Sequence, residues 1–152
     1  MFVKMFPSTN FRELCHRHQL AATHQRQVIY ETVTSLSGHP SPELIYEKVR
    51  EKIPSISLAT VYKNIRTFLD SGMLREVSLH HGSLRVEPNQ RPHHHLVCIH
   101  CKSITDFDEA GLDPVRLRAK PPRGFQVQRI AVDVLGICAK CASKAAHKPR
   151  KV

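Results

Sequence analysis

Apolar residues recur at helical spacing through the first half of the chain. Phe11, Leu14 and Cys15 share one side of a short segment that Asn10 can cap. Val28, Ile29, Val33 and Leu36 form a second stripe behind a capping Thr23, with Gly38 as its expected stop. Ser41-Pro42-Glu43 predicts a fresh start: a capping hydroxyl, proline at the first helical position and an acid in the first turn. Leu44, Ile45, Val49 and Ile53 follow, and Pro54 should end this third helix. A fourth helix is framed by Ser57 and Gly72. Leu58, Val61, Ile65, Phe68 and Leu69 fall on one face, and Ala59, Thr60, Tyr62, Lys63 and Arg66 on the other.

The pattern then shifts to short β runs. Met73 to Val77 and Leu84 to Glu87 flank the Gly-bearing turn His80-His81-Gly82-Ser83, which predicts a hairpin. Helices followed by a two-stranded hairpin make a winged helix-turn-helix with the fourth helix as the reader. Pro88-Asn89-Gln90-Arg91-Pro92 reads as a hinge. Beyond it, His95 to Phe107 is strand-like, Gly111 to Ala119 is expected to hold a short helix, and Pro121-Pro122-Arg123-Gly124 is a turn. Phe125 to Ile137 alternates as a long strand. From Ala142 onward Lys144, Lys148, Arg150 and Lys151 occur without an acid, as in a mobile tail. The expected fold class is α+β: a winged-helix domain over 1–87, a hinge over 88–92, a metal-binding dimerisation domain over 93–142 and a basic tail over 143–152.

Composition narrows the function. The 152 residues carry a formal charge of +10, 11 histidines, 5 cysteines and a 41% hydrophobic share, enough for a folded core. No run approaches the length of a membrane span, and Met1 to Phe11 lacks the apolar stretch of a secretory signal. A cytoplasmic location is expected, where thiols stay reduced and cysteines serve metals more often than disulfides. The positive excess suggests a polyanionic partner, but most of it lies beyond residue 90. The case for DNA therefore rests on Lys63 and Arg66 sharing one helix face.

Cys98-x-x-Cys101 and Cys138-x-x-Cys141 are two knuckles of equal spacing. Each lets two thiolates approach one ion, and together they complete a tetrahedral S₄ set, the pattern of structural Zn²⁺. A redox dithiol or two unrelated pairs are the plainer readings. A closed Cys₄ site has no open position, so it stabilises rather than catalyses. Cys15 stands apart and reads as a buried apolar residue.

His93-His94-His95 precedes the first knuckle. In an extended segment His93 and His95 point together and His94 points away, which makes a metal half-site or an exposed polar linker. Glu87 at the end of the hairpin, Asp106 after the first knuckle and His39 in the Gly38-His39-Pro40 turn would complete a nitrogen and oxygen set. Such a set suits Fe²⁺, Mn²⁺ or Zn²⁺. Spacing alone does not establish that these groups converge.

These motifs, in this order, resemble the ferric uptake regulator family. The residues that carry the likeness are Gly38-His39-Pro40, Ser57-Leu58-Ala59-Thr60-Val61-Tyr62-Lys63-Asn64-Ile65, Ser71-Gly72-Met73-Leu74, His93 to Cys101, Ile104-Thr105-Asp106-Phe107 and Gly136 to Cys141. The likeness spans roughly residues 10 to 142. It implies a homodimer of winged-helix readers joined by zinc-stapled dimerisation domains, with a palindromic, AT-rich double-stranded DNA operator as partner. It also implies a regulatory Fe²⁺ or Mn²⁺ at the hinge, whose ligands map onto His39, Glu87, His93, His95 and Asp106.

Asp106 resembles the peroxide-sensing branch, where iron sensors usually carry Glu. In that branch peroxide oxidises a ligand histidine, His39 or His93 here, and DNA is released. Glu87 departs the other way, toward an iron-responsive repressor of metal uptake genes. The zinc-sensing branch usually places a Cys near the end of the wing, and this chain has none between Cys15 and Cys98.

For DNA, Thr60 and Tyr62 are the candidates for base edges. Lys63 and Arg66, with Arg17 and Arg26 from the first two helices, are the candidates for phosphates. A merely solvated basic face is the plain alternative. A metal-dependent hydrolase would need an open coordination position, a placed base and a substrate pocket, and would leave the reading helix unexplained. A zinc-bearing protein-interaction module is the other rival, and metal-dependent operator binding separates it from a regulator.

Overall fold

The computed structural model describes residues 10–77, 84–91, 93–108, 121–127, 130 and 132–146. They belong to two compact units, residues 1–90 and 91–152.

The first unit is helical. α1 spans Phe11–Arg17, α2 His24–Ser35, α3 Pro42–Arg50 and α4 Leu58–Asp70. The four expected caps form. Asn10 accepts from the Arg12 N–H, Thr23 from Arg26, Ser41 from Leu44 and Ser57 from Thr60, at 3.1–3.3 Å. Each cap contributes about 1 kcal/mol by satisfying an N–H that the helix leaves open. The helix ends differ from expectation. α2 stops at Ser35, before Gly38, and α3 stops at Arg50 because the Lys52 and Ile53 N–H groups both turn onto the Val49 carbonyl, at 3.0 and 2.8 Å.

The apolar stripes meet in one core. Ile29, Val33, Ile45, Val49, Val61, Ile65 and Phe68 are buried, and Phe68 packs edge-on against Tyr30 with centroids 5.8 Å apart. Burying a side chain of this size stabilises by about 1.5–3 kcal/mol. Leu58, expected in this core, is 37% exposed, because at the first position of α4 it precedes the turns that pack. After α4, Gly72 takes φ +75°, a left-handed conformation that glycine adopts freely, and its N–H bonds the Leu69 carbonyl. β1 (Arg75–Glu76) then pairs antiparallel with β2 (Val86–Glu87), and the Val77 N–H extends the ladder to the Arg85 carbonyl. The turn expected at His80 and His81 lies outside the described residues.

The second unit holds a three-stranded sheet in the order β4-β3-β5. β3 is His94–Cys98, β4 is Ile104–Phe107 and β5 is Asp133–Gly136. β3 runs antiparallel to β4 and parallel to β5. The stretch from His95 to Phe107, read as strand-like throughout, is two strands folded around the first knuckle. The expected long strand is shorter. Among the described residues of 125–137 only Asp133–Gly136 pair, and Phe125 turns its N–H onto the Pro122 carbonyl instead. Alternation makes a strand only where a neighbouring strand accepts its hydrogen bonds.

The expected mobile tail begins as helix: α5 runs Ala139–Ala146, nucleated by the second knuckle. The helix expected over 111–119 and the last residues of the tail lie outside the described residues. Among the described residues, no helix is long and apolar enough to cross a membrane.

Candidate metal centres

Backbone turns position the four knuckle cysteines. Cys98 ends β3, and Lys102 adopts φ +60°, a left-handed conformation that closes the loop by bonding its N–H to the Cys98 carbonyl at 2.9 Å. The second knuckle is the first turn of α5, where Cys141 and Ala142 donate to the Cys138 carbonyl. The two are laced together: Ile99 N–H bonds the Gly136 carbonyl at 2.9 Å, and the Cys138 N–H points at the Cys98 sulfur at 3.4 Å.

All four sulfurs lie within 4.8 Å of one another, and all four are free thiols. Cys101 Sγ and Cys138 Sγ are 3.7 Å apart. A tetrahedral zinc with Zn–S near 2.3 Å has sulfur–sulfur edges of roughly 3.8 Å, so the four thiols fit one Zn²⁺.

The electrostatics agree. The N–H of Cys138, then that of Cys101, aimed at the Cys98 sulfur, pull its thiol down to about 5. The Ser103 hydroxyl lowers Cys101. The neighbouring sulfurs of Cys138 and Cys101 push the Cys141 thiol up to about 12. Crowded thiols release their first protons easily and their last reluctantly, until a cation compensates the charge.

The expected oxygen and nitrogen ligands form two groups, one in each unit. In the first unit His39 Nε2 meets Glu87 Oε2 at 3.0 Å, and both residues are buried. The turn that carries His39 is tied to the hairpin: Val86 N–H bonds the Pro40 carbonyl at 3.2 Å, and the Arg85 guanidinium donates to the His39 carbonyl at 3.4 Å.

In the second unit His93, His95 and Asp106 bring donor atoms within 4.8 Å of one another. β-sheet register puts Asp106 opposite His95. His93 Nδ1 donates to the Arg91 carbonyl at 2.8 Å, which leaves a lone pair on its Nε2. His95 Nδ1 faces the Asp133 carboxylate at 3.5 Å, which favours its proton there and a lone pair on its Nε2 as well. The two Nε2 atoms are 3.1 Å apart. That spacing suits a shared proton in a hydrogen bond, and it equally suits two adjacent ligands of one ion at about 2.1 Å. The donor chemistry of this unit therefore fits a divalent metal. His94, expected to point away, is also buried and is not among these donors.

On α4, Lys63 and Arg66 are exposed, as is Arg17 on α1. Tyr62 is 39% exposed, and its hydroxyl donates to the Glu43 carboxylate of α3. That bond lowers Glu43 and raises Tyr62 from their ordinary ranges. Thr60 is half-buried, with its hydroxyl shared with Ser57 at 2.9 Å. Arg26 braces α2 against α4, donating to Asn64 Oδ1 at 3.3 Å and to the Ala21 carbonyl at 2.7 Å. Sequence reading missed Glu43 as a partner of Tyr62, because it registered only as a first-turn acid. It missed Asp133 because the strand was read for its apolar alternation.

Comparison with known proteins shows the family. The profile of the Ferric uptake regulator family matches residues 17–135. The Peroxide operon regulator of Bacillus subtilis (strain 168) is 35% identical over 125 residues, covering 82% of this chain and 86% of that protein. Among solved structures, the ferric uptake regulator from Pseudomonas aeruginosa with manganese superposes with a TM-score of 0.69 at 22% identity. That match covers 86% of this chain and 99% of the other. A zinc uptake regulator complexed with zinc and DNA gives 0.65 at 19%, covering 90% and 93%. Profile, sequence relative and fold converge: the chain belongs to the ferric uptake regulator family, a regulator and not an enzyme.

Proposed function

We propose that this chain is a homodimeric, metal-dependent repressor that binds a palindromic AT-rich operator and releases it when peroxide oxidises a ligand histidine. The observation that carries the reading is the set of donors gathered in each unit, buried His39 with buried Glu87, and buried His93 and His95 with the partly buried Asp106. They flank the 88–92 hinge in a chain 35% identical to a peroxide operon regulator.

On this reading Cys98, Cys101, Cys138 and Cys141 hold Zn²⁺, and all five mixed donors serve one Fe²⁺ or Mn²⁺. With ligands drawn from both sides of the hinge, the ion favours one domain arrangement, in which the paired α4 helices stand about one DNA turn apart. Tighter binding to that form shifts the population toward it, and a shift from 1:99 to 99:1 needs roughly 5.5 kcal/mol of differential affinity. Tyr62 and Thr60 then face base edges, while Lys63, Arg66, Arg17 and Arg26 meet phosphates. A second copy of the chain can cover Leu96, Val134, Leu135 and Ile137, which are exposed on the sheet of the second unit and the segment after it.

Fe²⁺ held by these residues would promote the reduction of hydrogen peroxide beside them. His39 and His93 are the targets: one peroxide oxygen adds to the imidazole, which supplies the two electrons overall, and the other leaves as water, so the oxidised ring is a weaker donor and the hinge relaxes. Asp106 supports peroxide sensing. Glu87, where the peroxide-sensing branch usually has Asp, favours a second reading, an iron-responsive repressor without peroxide chemistry.

Operator gel shifts with and without Mn²⁺ test the regulator reading, and metal-independent or absent binding contradicts it. An Asp106→Glu variant that keeps metal-dependent binding but loses its response to peroxide supports the peroxide reading. Unchanged sensitivity removes that support.

A further inference from the structure

We infer that Asp133 is a positioning residue for the regulatory metal, holding the His95 ring so that its Nε2 faces the ion. The inference rests on the metal reading above and deepens it.

The backbone brings the pair together. In the parallel β3–β5 ladder His95 and Asp133 are register partners, and the His95 N–H bonds the Val132 carbonyl at 3.1 Å. Partners in register project to the same face of a sheet. Asp133 Oδ1 reaches to 3.5 Å from His95 Nδ1, with the imidazole almost wholly buried and the carboxylate partly exposed. A carboxylate beside one ring nitrogen favours the proton on that nitrogen and leaves the lone pair on the other.

The two histidines of this unit are therefore held differently. The partner of His93 Nδ1 is a neutral carbonyl, that of Arg91. The partner of His95 is an anion, so the two rings are oriented by different groups. Asp133 thus sets the tautomer and orientation of His95 without touching the ion.

The test uses the full-length, zinc-loaded chain as wild type, Asp133→Asn and Asp133→Ala, with His95→Ala as control. Mn²⁺ affinity is measured by calorimetry, and the His95 tautomer by ¹⁵N NMR of the Mn²⁺-free protein. The expected result for Asp133→Ala is a 10–100-fold loss of Mn²⁺ affinity, with Asp133→Asn intermediate and zinc content unchanged. The Mn²⁺-free wild type should show His95 protonated at Nδ1, and Asp133→Ala a mixture of tautomers. Mn²⁺ affinity within about twofold of wild type, with the Nδ1–H tautomer retained in Asp133→Ala, overturns the inference. If His95→Ala binds Mn²⁺ as well as wild type, the metal reading itself fails. The tautomer measurement, made without Mn²⁺, still decides whether Asp133 orients His95.

Discussion

Replacing Cys138 with serine should unfold the second unit while leaving the first folded. The reason is the size of the two cores. Among the described residues of the first unit, fourteen between Phe11 and Val86 form one buried apolar cluster. Among the described residues of the second, the buried apolar side chains are Val97, Cys98 and Ile104. Two aliphatic side chains contribute about 3–6 kcal/mol between them. A structural zinc contributes roughly 10–16 kcal/mol at neutral pH, by analogy with zinc-finger peptides. The ion is therefore the larger contribution.

The Cys138 sulfur lies 3.7 Å from that of Cys101, and on the proposed assignment its loss leaves the zinc one thiolate short of a tetrahedral set. Hydrogen exchange resolved by unit is the assay. Amides of β3 and β5 should lose protection in Cys138→Ser, and in wild type stripped by a chelator, while amides of α2 and α4 keep theirs. Wild-type protection of β3 and β5 after zinc removal would refute the reasoning, since burial and strand pairing would then suffice without the metal.

Other outcomes follow from single contacts. Phe68→Ala should destabilise the first unit by about 3–5 kcal/mol in urea unfolding, because the ring is fully buried against Tyr30. Ser57→Ala removes the acceptor for the Thr60 N–H and should cost about 1 kcal/mol in the same assay. For DNA, Arg66→Ala should weaken binding evenly across operator sequences and reduce the slope of log affinity against log salt by about 1.

Much of this was legible in the chain, and the reasons are local. Capping hydroxyls and 3.6-residue stripes act within one helix, so Thr23, Ser41 and Ser57 marked their helices correctly. The cysteine knuckles were legible because two residues of spacing is itself the ligand geometry. Long-range pairing was not legible. The alternation from Phe125 onward looked like one strand, yet strand formation depends on which residues find β3 as a neighbour. Glu43 and Asp133 were invisible for a similar reason, since each matters through a residue distant in sequence, Tyr62 and His95.

Peroxide is proposed to act on this chain through a ligand histidine. The decisive experiment loads the protein with Fe²⁺, adds hydrogen peroxide, and follows peptide masses and operator binding in the same sample. One added oxygen is expected on the peptide bearing His39 or on that bearing His93, rising in step with loss of operator binding, and neither change is expected with Mn²⁺ in place of Fe²⁺. Operator binding that survives peroxide with both peptides unmodified would contradict this, and would leave an iron-responsive repressor.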